Sequence, residues 1–265
     1  MRIQLSIHLA VAACAITACS TSTPAPTPAP TPAAMPEAAA TAAAQQRMRD
    51  SVALDALRND WAGLRRYRAA NAQLAAPAAA DNRVVFYGNS ITDGWARYFP
   101  TMFPGKPYIG RGISGQTTPQ MLVRFRQDVV ALQPKVVVIL AGTNDIAGNT
   151  GPSTIEMIED NFMSMTQIAK AHHIHVVISS VLPVYDYPWK PGLTPAPKIV
   201  ALNAWLKKYA TDVGEVYLDY HTAMKDARDG LPPNLANDGV HPTDAGYRLM
   251  APMAEAAIAK ALSLP

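Results

Sequence analysis

The chain has 265 residues, of which 49% are hydrophobic and 16% charged, and it carries a formal net charge of +3. This length suits one large domain or two small ones. The positive charge is scattered, with no basic run interleaved with aromatics, so a nucleic acid partner is not expected. Cys14 and Cys19 are the only cysteines, which leaves the folded part without a disulfide or a cysteine metal site.

Residues 1–18 read as an export leader: Met1-Arg2 is followed by an apolar stretch too short to span a membrane. Ile16-Thr17-Ala18-Cys19-Ser20 resembles the lipobox of bacterial lipoproteins, with Cys19 as the lipid-bearing residue. The resemblance implies an exported protein held at a membrane by a lipid anchor, at the outer membrane in the first instance, facing the periplasm or the cell surface. Residues 19–44 are almost wholly Thr, Pro and Ala. Such a segment buries too little apolar surface to fold and is expected to act as an extended tether. Over 45–77 the spacing of Leu54, Leu57, Trp61, Leu64 and Tyr67 predicts one long helix, ended near Pro77, that packs on the main domain.

From residue 82 to 265 strand-like and helix-like runs alternate. Strands are expected at 83–87, 108–110, 136–141, 175–180 and 215–219, and helices at 119–132, 153–171, 196–211 and 243–262. The run Val136-Val137-Val138-Ile139-Leu140 is apolar on both faces, as in a parallel strand covered by helices on two sides. The expected fold is therefore an α/β three-layer sandwich with a five-stranded parallel sheet.

The first expected strand runs into Gly88-Asn89-Ser90, and a helix-like segment follows. That puts the Ser90 hydroxyl at the carboxyl end of a buried strand, where open α/β sheets bind ligands. A serine becomes a nucleophile only when an oriented base takes its proton. Asp238-Gly239-Val240-His241 supplies such a pair, because a spacing of three on a glycine-containing loop lets Asp238 reach its own histidine. Donors for a developing oxyanion are available in Ile113-Ser114-Gly115-Gln116, after the second strand, and in Gly142-Thr143-Asn144-Asp145, after the third.

Together Gly88-Asn89-Ser90, Gly115, Gly142-Thr143-Asn144-Asp145 and Asp238-x-x-His241 resemble the four ordered blocks of the SGNH hydrolases, the GDSL-type esterases and lipases. The likeness covers about residues 83 to 262 and leans toward bacterial acetylhydrolase-like esterases related to platelet-activating-factor acetylhydrolase subunits. It implies a flavodoxin-like five-stranded fold and no required metal or organic cofactor. It also implies Ser90 as nucleophile, His241 as base and Asp238 as its orienter, with the Ser90 and Gly115 amides and the Asn144 side chain as the oxyanion hole. The family usually has Asp before the serine. Asn89 stands there instead, and Asn89→Asp is expected to be mild.

Trp95 and the aromatics Tyr185, Tyr187 and Trp189 lie near the expected site, and aromatic faces suit stacking on sugar rings. The expected activity is therefore hydrolysis of short-chain carboxylic esters, O-acetyl groups on a carbohydrate in particular. A lysophospholipase or thioesterase, and a non-catalytic glycan-binding lipoprotein, are the competing expectations. His172-His173-Ile174-His175 sits at a helix end leading into a strand, where histidines interact well with the helix dipole, so no metal site is expected there.

Overall fold

The structure, a computed structural model, describes residues 37–78 and 80–265. The expected leader, Cys19 and the tether up to residue 36 lie outside the described residues. The chain divides into two units at Met48. In the first, the described residues 37–48 are helical, where the tether was expected to run extended to 44. The prolines of that stretch stop at Pro36, and the alanine-rich run after it has the highest helix propensity.

In the second unit, Arg49–Pro265, helix α1 (Glu37–Asn59) completes its course and a turn segment leads to α2 (Arg68–Gln73). The single helix expected over 45–77 is thus broken, and its apolar stripe does not form one buried face: Leu54 is 52% exposed, whereas Tyr67 is buried. Asp60 ends α1 by accepting the Leu64 and Arg65 backbone N–H groups at 2.8 and 3.0 Å. Gly63 then takes the left-handed region at φ +69°, a conformation that glycine alone adopts freely.

The sheet strands are β1 (Val84–Gly88), β2 (Tyr108–Gly112), β3 (Val136–Leu140), β4 (His175–Ser179) and β5 (Val216–Leu218). All pair in parallel, in the order β2-β1-β3-β4-β5. Between β1 and β2 lie α3 (Ser90–Ala96) and α4 (Phe99–Met102), and α5 (Thr118–Asp128) follows β2. Next come α6 (Thr143–Ile146) and α7 (Ile155–Ala171) after β3, then α8 (Ala196–Asp212) after β4. The last helices, α9 (Tyr220–Met224) and α10 (Asp244–Leu262), follow β5.

Alternate residues of each strand face opposite cores, as the pleat requires. Val85, Tyr87, Val137 and Ile139 pack against Phe125 of α5, Phe162 of α7 and Leu206 of α8. Val84, Phe86, Val136 and Val138 pack against Trp95 of α3 and Tyr247, Met250 and Ala254 of α10. The five strands and four long helices fall within a few residues of the expected positions. The helix expected over 119–132 closes early. It ends at Asp128 and passes through a 3₁₀ turn at Val130–Leu132 to Gln133 at φ +50°; Gln133 precedes Pro134, which disfavours the right-handed helical region at that residue.

Two features of this frame position the site. The sheet order reverses between β1 and β3, since the chain crosses to β2 on one side of β1 and then to β3 on the other, and the crevice at such a switch point is where doubly wound sheets bind ligands. The register also ends the three strands level, with Gly88 opposite Gly112 on one side and Leu140 on the other.

Candidate active site

Ser90 opens α3, two residues beyond the last pair of β1. Its helix start sits tight against β2: a Cβ on Gly112 would lie 2.1 Å from the Asp93 nitrogen and 2.7 Å from the Asn89 carbonyl oxygen. Only glycine allows that approach. As the first helical residue, Ser90 has a backbone N–H without an intrahelical acceptor.

His241 arrives from the loop before α10. Its Nε2 is 2.8 Å from Ser90 Oγ, and its Nδ1 is 2.6 Å from Asp238 Oδ2. An ionised carboxylate only accepts, so the Nδ1 proton points to Asp238 and Nε2 is left to accept from the Ser90 hydroxyl. The second Asp238 oxygen accepts the Val240 and His241 backbone N–H groups at 2.9 and 2.8 Å. Burial pushes the Asp238 carboxyl up, but the His241 backbone N–H, the His241 ring and the Val240 N–H together outweigh it and hold it below its ordinary 3.8. The pair therefore carries a fixed negative charge behind the imidazole.

Gly115, at φ +79°, lies three residues past the end of β2, and Asn144 four residues past the end of β3. Asn144 Nδ2 donates to the Gln116 carbonyl at 2.8 Å, and its Oδ1 accepts from Asn149 Nδ2 at 3.0 Å. These two bonds fix which way the amide faces and leave one Nδ2 hydrogen uncommitted. Asn149 also accepts from Trp189 Nε1 at 3.2 Å, so one side chain ties the Trp189 loop to Asn144.

The four aromatics separate into two pairs. Trp189 is 41% exposed with its ring 6.2 Å from the His241 ring, and Tyr185 is 55% exposed beneath the Arg228 guanidinium. Trp95 and Tyr187 do not line the site, contrary to expectation. Trp95 is buried among Phe86, Phe99, Phe103 and Tyr247, with Nε1 3.3 Å from Met102 Sδ. The Tyr187 hydroxyl is buried on Thr143, whose carbonyl accepts from it at 2.9 Å, and burial pushes it up to about 12. His172 and His173 close α7 and His175 opens β4, at the amino end of the strands and so at the opposite edge of the sheet from Ser90.

Sequence reasoning missed Arg124. Its fully buried guanidinium donates to the Gly88 carbonyl at 2.8 Å, the Arg111 carbonyl at 2.9 Å and Gln116 Oε1 at 2.5 Å, and pairs with Asp128 at 3.1 Å. One side chain thus clamps the carboxyl ends of β1 and β2 to the Gly115 loop. An Arg and an Asp four apart on a predicted helix was the available signal, but that pattern usually marks a solvated face. Asn149, too, carried no motif.

A strand-end serine bonded to a histidine that is bonded in turn to an aspartate is the arrangement of an acyl-transfer site. Residues 86–249 match the GDSL-like Lipase/Acylhydrolase family, more than half of the chain. The chain belongs to that family, and it is an ester-hydrolysing enzyme. An acylhydrolase candidate from Bacteroides fragilis NCTC 9343 is 47% identical, with a TM-score of 0.75 over 77% of this chain and 99% of that one. A catalytic mutant of an acetylxylan esterase from Geobacillus stearothermophilus shares the fold at 19% identity, with a TM-score of 0.56 over 69% of this chain and 96% of that one. The uncharacterized lipoprotein YqeF of Bacillus subtilis is 28% identical over 120 residues, 39% of this chain, and the match spans only 49% of YqeF.

Proposed function

We propose that this enzyme is a serine esterase that removes short acyl groups, O-acetyl groups on a carbohydrate in particular. The observation that carries the reading is the Ser90–His241–Asp238 chain, at 2.8 and 2.6 Å. Ser90 Oγ attacks the acyl carbon while its proton passes to His241 Nε2. Asp238 holds the ring and stabilises the imidazolium that forms. The negative oxygen of the tetrahedral intermediate is received by the Ser90 and Gly115 amides and the uncommitted Asn144 N–H. Collapse breaks the ester C–O bond, and His241 returns the proton to the departing alcohol. Water, deprotonated by His241, then attacks the acyl-serine and releases the free acid and Ser90.

Two exposed aromatics on the loop after β4, Tyr185 and Trp189, support a sugar as the alcohol portion, since flat aromatic faces suit ring stacking. The acetylxylan esterase that shares the fold is in keeping with this reading. Residues 1–19 add a second part to it: the protein is exported and held at a membrane through a lipid on Cys19. YqeF, a protein named as a lipoprotein, agrees with that. Loss of radiolabelled-palmitate incorporation in Cys19→Ala tests the anchor, and equal labelling of both chains overturns it.

The catalytic reading is tested by Ser90→Ala on 4-nitrophenyl esters of graded length. Turnover is expected to vanish in the variant and, in the wild type, to favour acetate over octanoate. Near-native turnover by Ser90→Ala sinks the mechanism, and a preference for octanoate moves the substrate to lipids.

A further inference from the structure

The turn segment between α1 and α2 does more than join them. Its backbone is pinned to the catalytic domain by three glutamine amides. Gln120 Nε2 donates to the Trp61 carbonyl at 2.6 Å, Gln116 Nε2 to that of Ala62 at 2.8 Å and Gln127 Nε2 to that of Leu64 at 2.8 Å. With Asp60 closing the turn from inside, Trp61 stands on a fixed backbone, yet it remains 40% exposed. The exposure alone would mean little, since single exposed hydrophobics are common; what sets Trp61 apart is the groove it borders.

Trp61 forms one wall of an open groove of about 340 Å³, and Ile113, Gly115, Asn149 and Thr150 are among the residues of its other walls. That volume falls within the roughly 300–1,000 Å³ of small-ligand sites. The groove lies beside the candidate acyl site: the candidate oxyanion residue Gly115 is part of its wall, and Asn149 is bonded to Asn144. Among the described residues Asp60 is the only charged residue of the lining, and its carboxylate is taken up by the Leu64 and Arg65 amides and by the Arg65 guanidinium at 3.4 Å. A lining whose carboxylate is already taken up suits an uncharged, polar occupant. A shallow groove with an indole wall and amide and hydroxyl groups opposite suits the face and edge hydroxyls of a pyranose. A lipid acyl chain would need an enclosed aliphatic channel.

We infer that Trp61 and this groove form a subsite for a neutral sugar residue adjoining the one that carries the scissile ester. The inference rests on the carbohydrate-ester reading above. It makes the segment before the catalytic fold a specificity element, with Trp61 stacking on the ring and Asn149 and Thr150 facing its edge.

The test compares the full wild-type chain with Trp61→Ala and Trp61→Phe. The substrates are 4-nitrophenyl acetate, 4-nitrophenyl octanoate and a panel of acetylated oligosaccharides built on xylose, glucose, mannose and N-acetylglucosamine. Trp61→Ala is expected to lower kcat/KM on its best oligosaccharide about tenfold more than on 4-nitrophenyl acetate, chiefly through KM, with Trp61→Phe recovering most of the loss. An equal effect on both substrates, or a selective effect on the octanoate, overturns the subsite. If the wild type frees no acetate from any oligosaccharide, the carbohydrate-ester reading fails. The groove is then judged by titrating the unacetylated oligosaccharides into the Ser90→Ala chain. Binding that weakens about tenfold with Trp61→Ala upholds the subsite. No binding, or binding indifferent to the substitution, overturns it.

Discussion

Asp238 and Asn89 show how differently two polar side chains beside the same serine are supported. Asp238 meets three hydrogen-bond donors, which hold its carboxyl below the ordinary carboxylate range. Asp238→Asn should therefore lower kcat by about 10²–10⁴-fold with KM little changed, since the amide cannot stabilise the imidazolium; steady-state kinetics on 4-nitrophenyl acetate check this. Asn89 is 1% exposed, and among the described residues nothing hydrogen-bonds to its Nδ2 or Oδ1. A carboxylate placed there would be desolvated and unpartnered, so Asn89→Asp is not the mild change expected from sequence. Its buried carboxyl would titrate above the ordinary range, and the variant should lose stability relative to wild type as pH rises through that range. Thermal melts between about pH 4 and 8 decide the matter, and a difference in Tm that is flat with pH would refute it. Asp145 supplies a native counterpart. Burial raises its carboxyl against the opposing Thr118 hydrogen bonds. A raised folded value means that the folded state binds the proton more tightly, so this contribution is full below the ordinary 3.8 and is lost as pH climbs through the folded value. Asp145→Asn should remove that slope from the stability curve.

Among the elements, α5 acts as the clamp of the site through Arg124. Arg124→Met leaves the buried Asp128 without its ion-pair partner, and should cost about 3–5 kcal/mol in denaturant unfolding. Adding Asp128→Leu should restore much of that stability. It should not restore kcat, because the Gly88 and Arg111 carbonyls still lack their donor. Recovery of both together would reduce Arg124 to a packing role. The same helix marks where legibility ended. Its position was readable from periodicity, and the strands from apolar runs such as 136–140, because burial on two faces imposes a local pattern. Ser90, Gly115, Asn144, Asp238 and His241 were readable because each sits at a strand end or loop with its own short signature. The three-glutamine attachment of residues 61–64 has no such signature, since side-chain bonds to distant carbonyls leave no period. Trp95 and Tyr187 were misplaced for a related reason. Nearness in sequence to a site does not say which side of the backbone a ring takes, and both rings turn into the cores.

On the scale of the whole molecule, the segment from Asp60 to Gln73 covers the edge strand β2. Tyr67 OH donates to the Gly112 carbonyl, and Asn71 accepts from Arg111 Nε at 2.8 Å. An uncovered edge strand invites pairing with other chains. A chain begun at Arg49 should retain kcat/KM on 4-nitrophenyl acetate within about twofold, because the unit that follows holds every candidate site residue. A chain begun at Leu74 should aggregate or lose activity, as size-exclusion chromatography and turnover would show. Equal behaviour of the two truncations would mean that the segment is dispensable.

Ser90 and His241 are separated by 151 positions, yet their side chains touch. The serine belongs to the first strand crossover, and the histidine comes with the last helix. If the proposed triad carries the reaction, turnover is consequently a readout of chain closure. On that mechanism, a molecule in which the sheet had formed but α10 had not docked should hold an intact serine and hydrolyse no ester. In refolding, recovered activity should follow the slowest docking event and lag behind the return of helical signal, which makes a colorimetric ester a clock for the final step of folding.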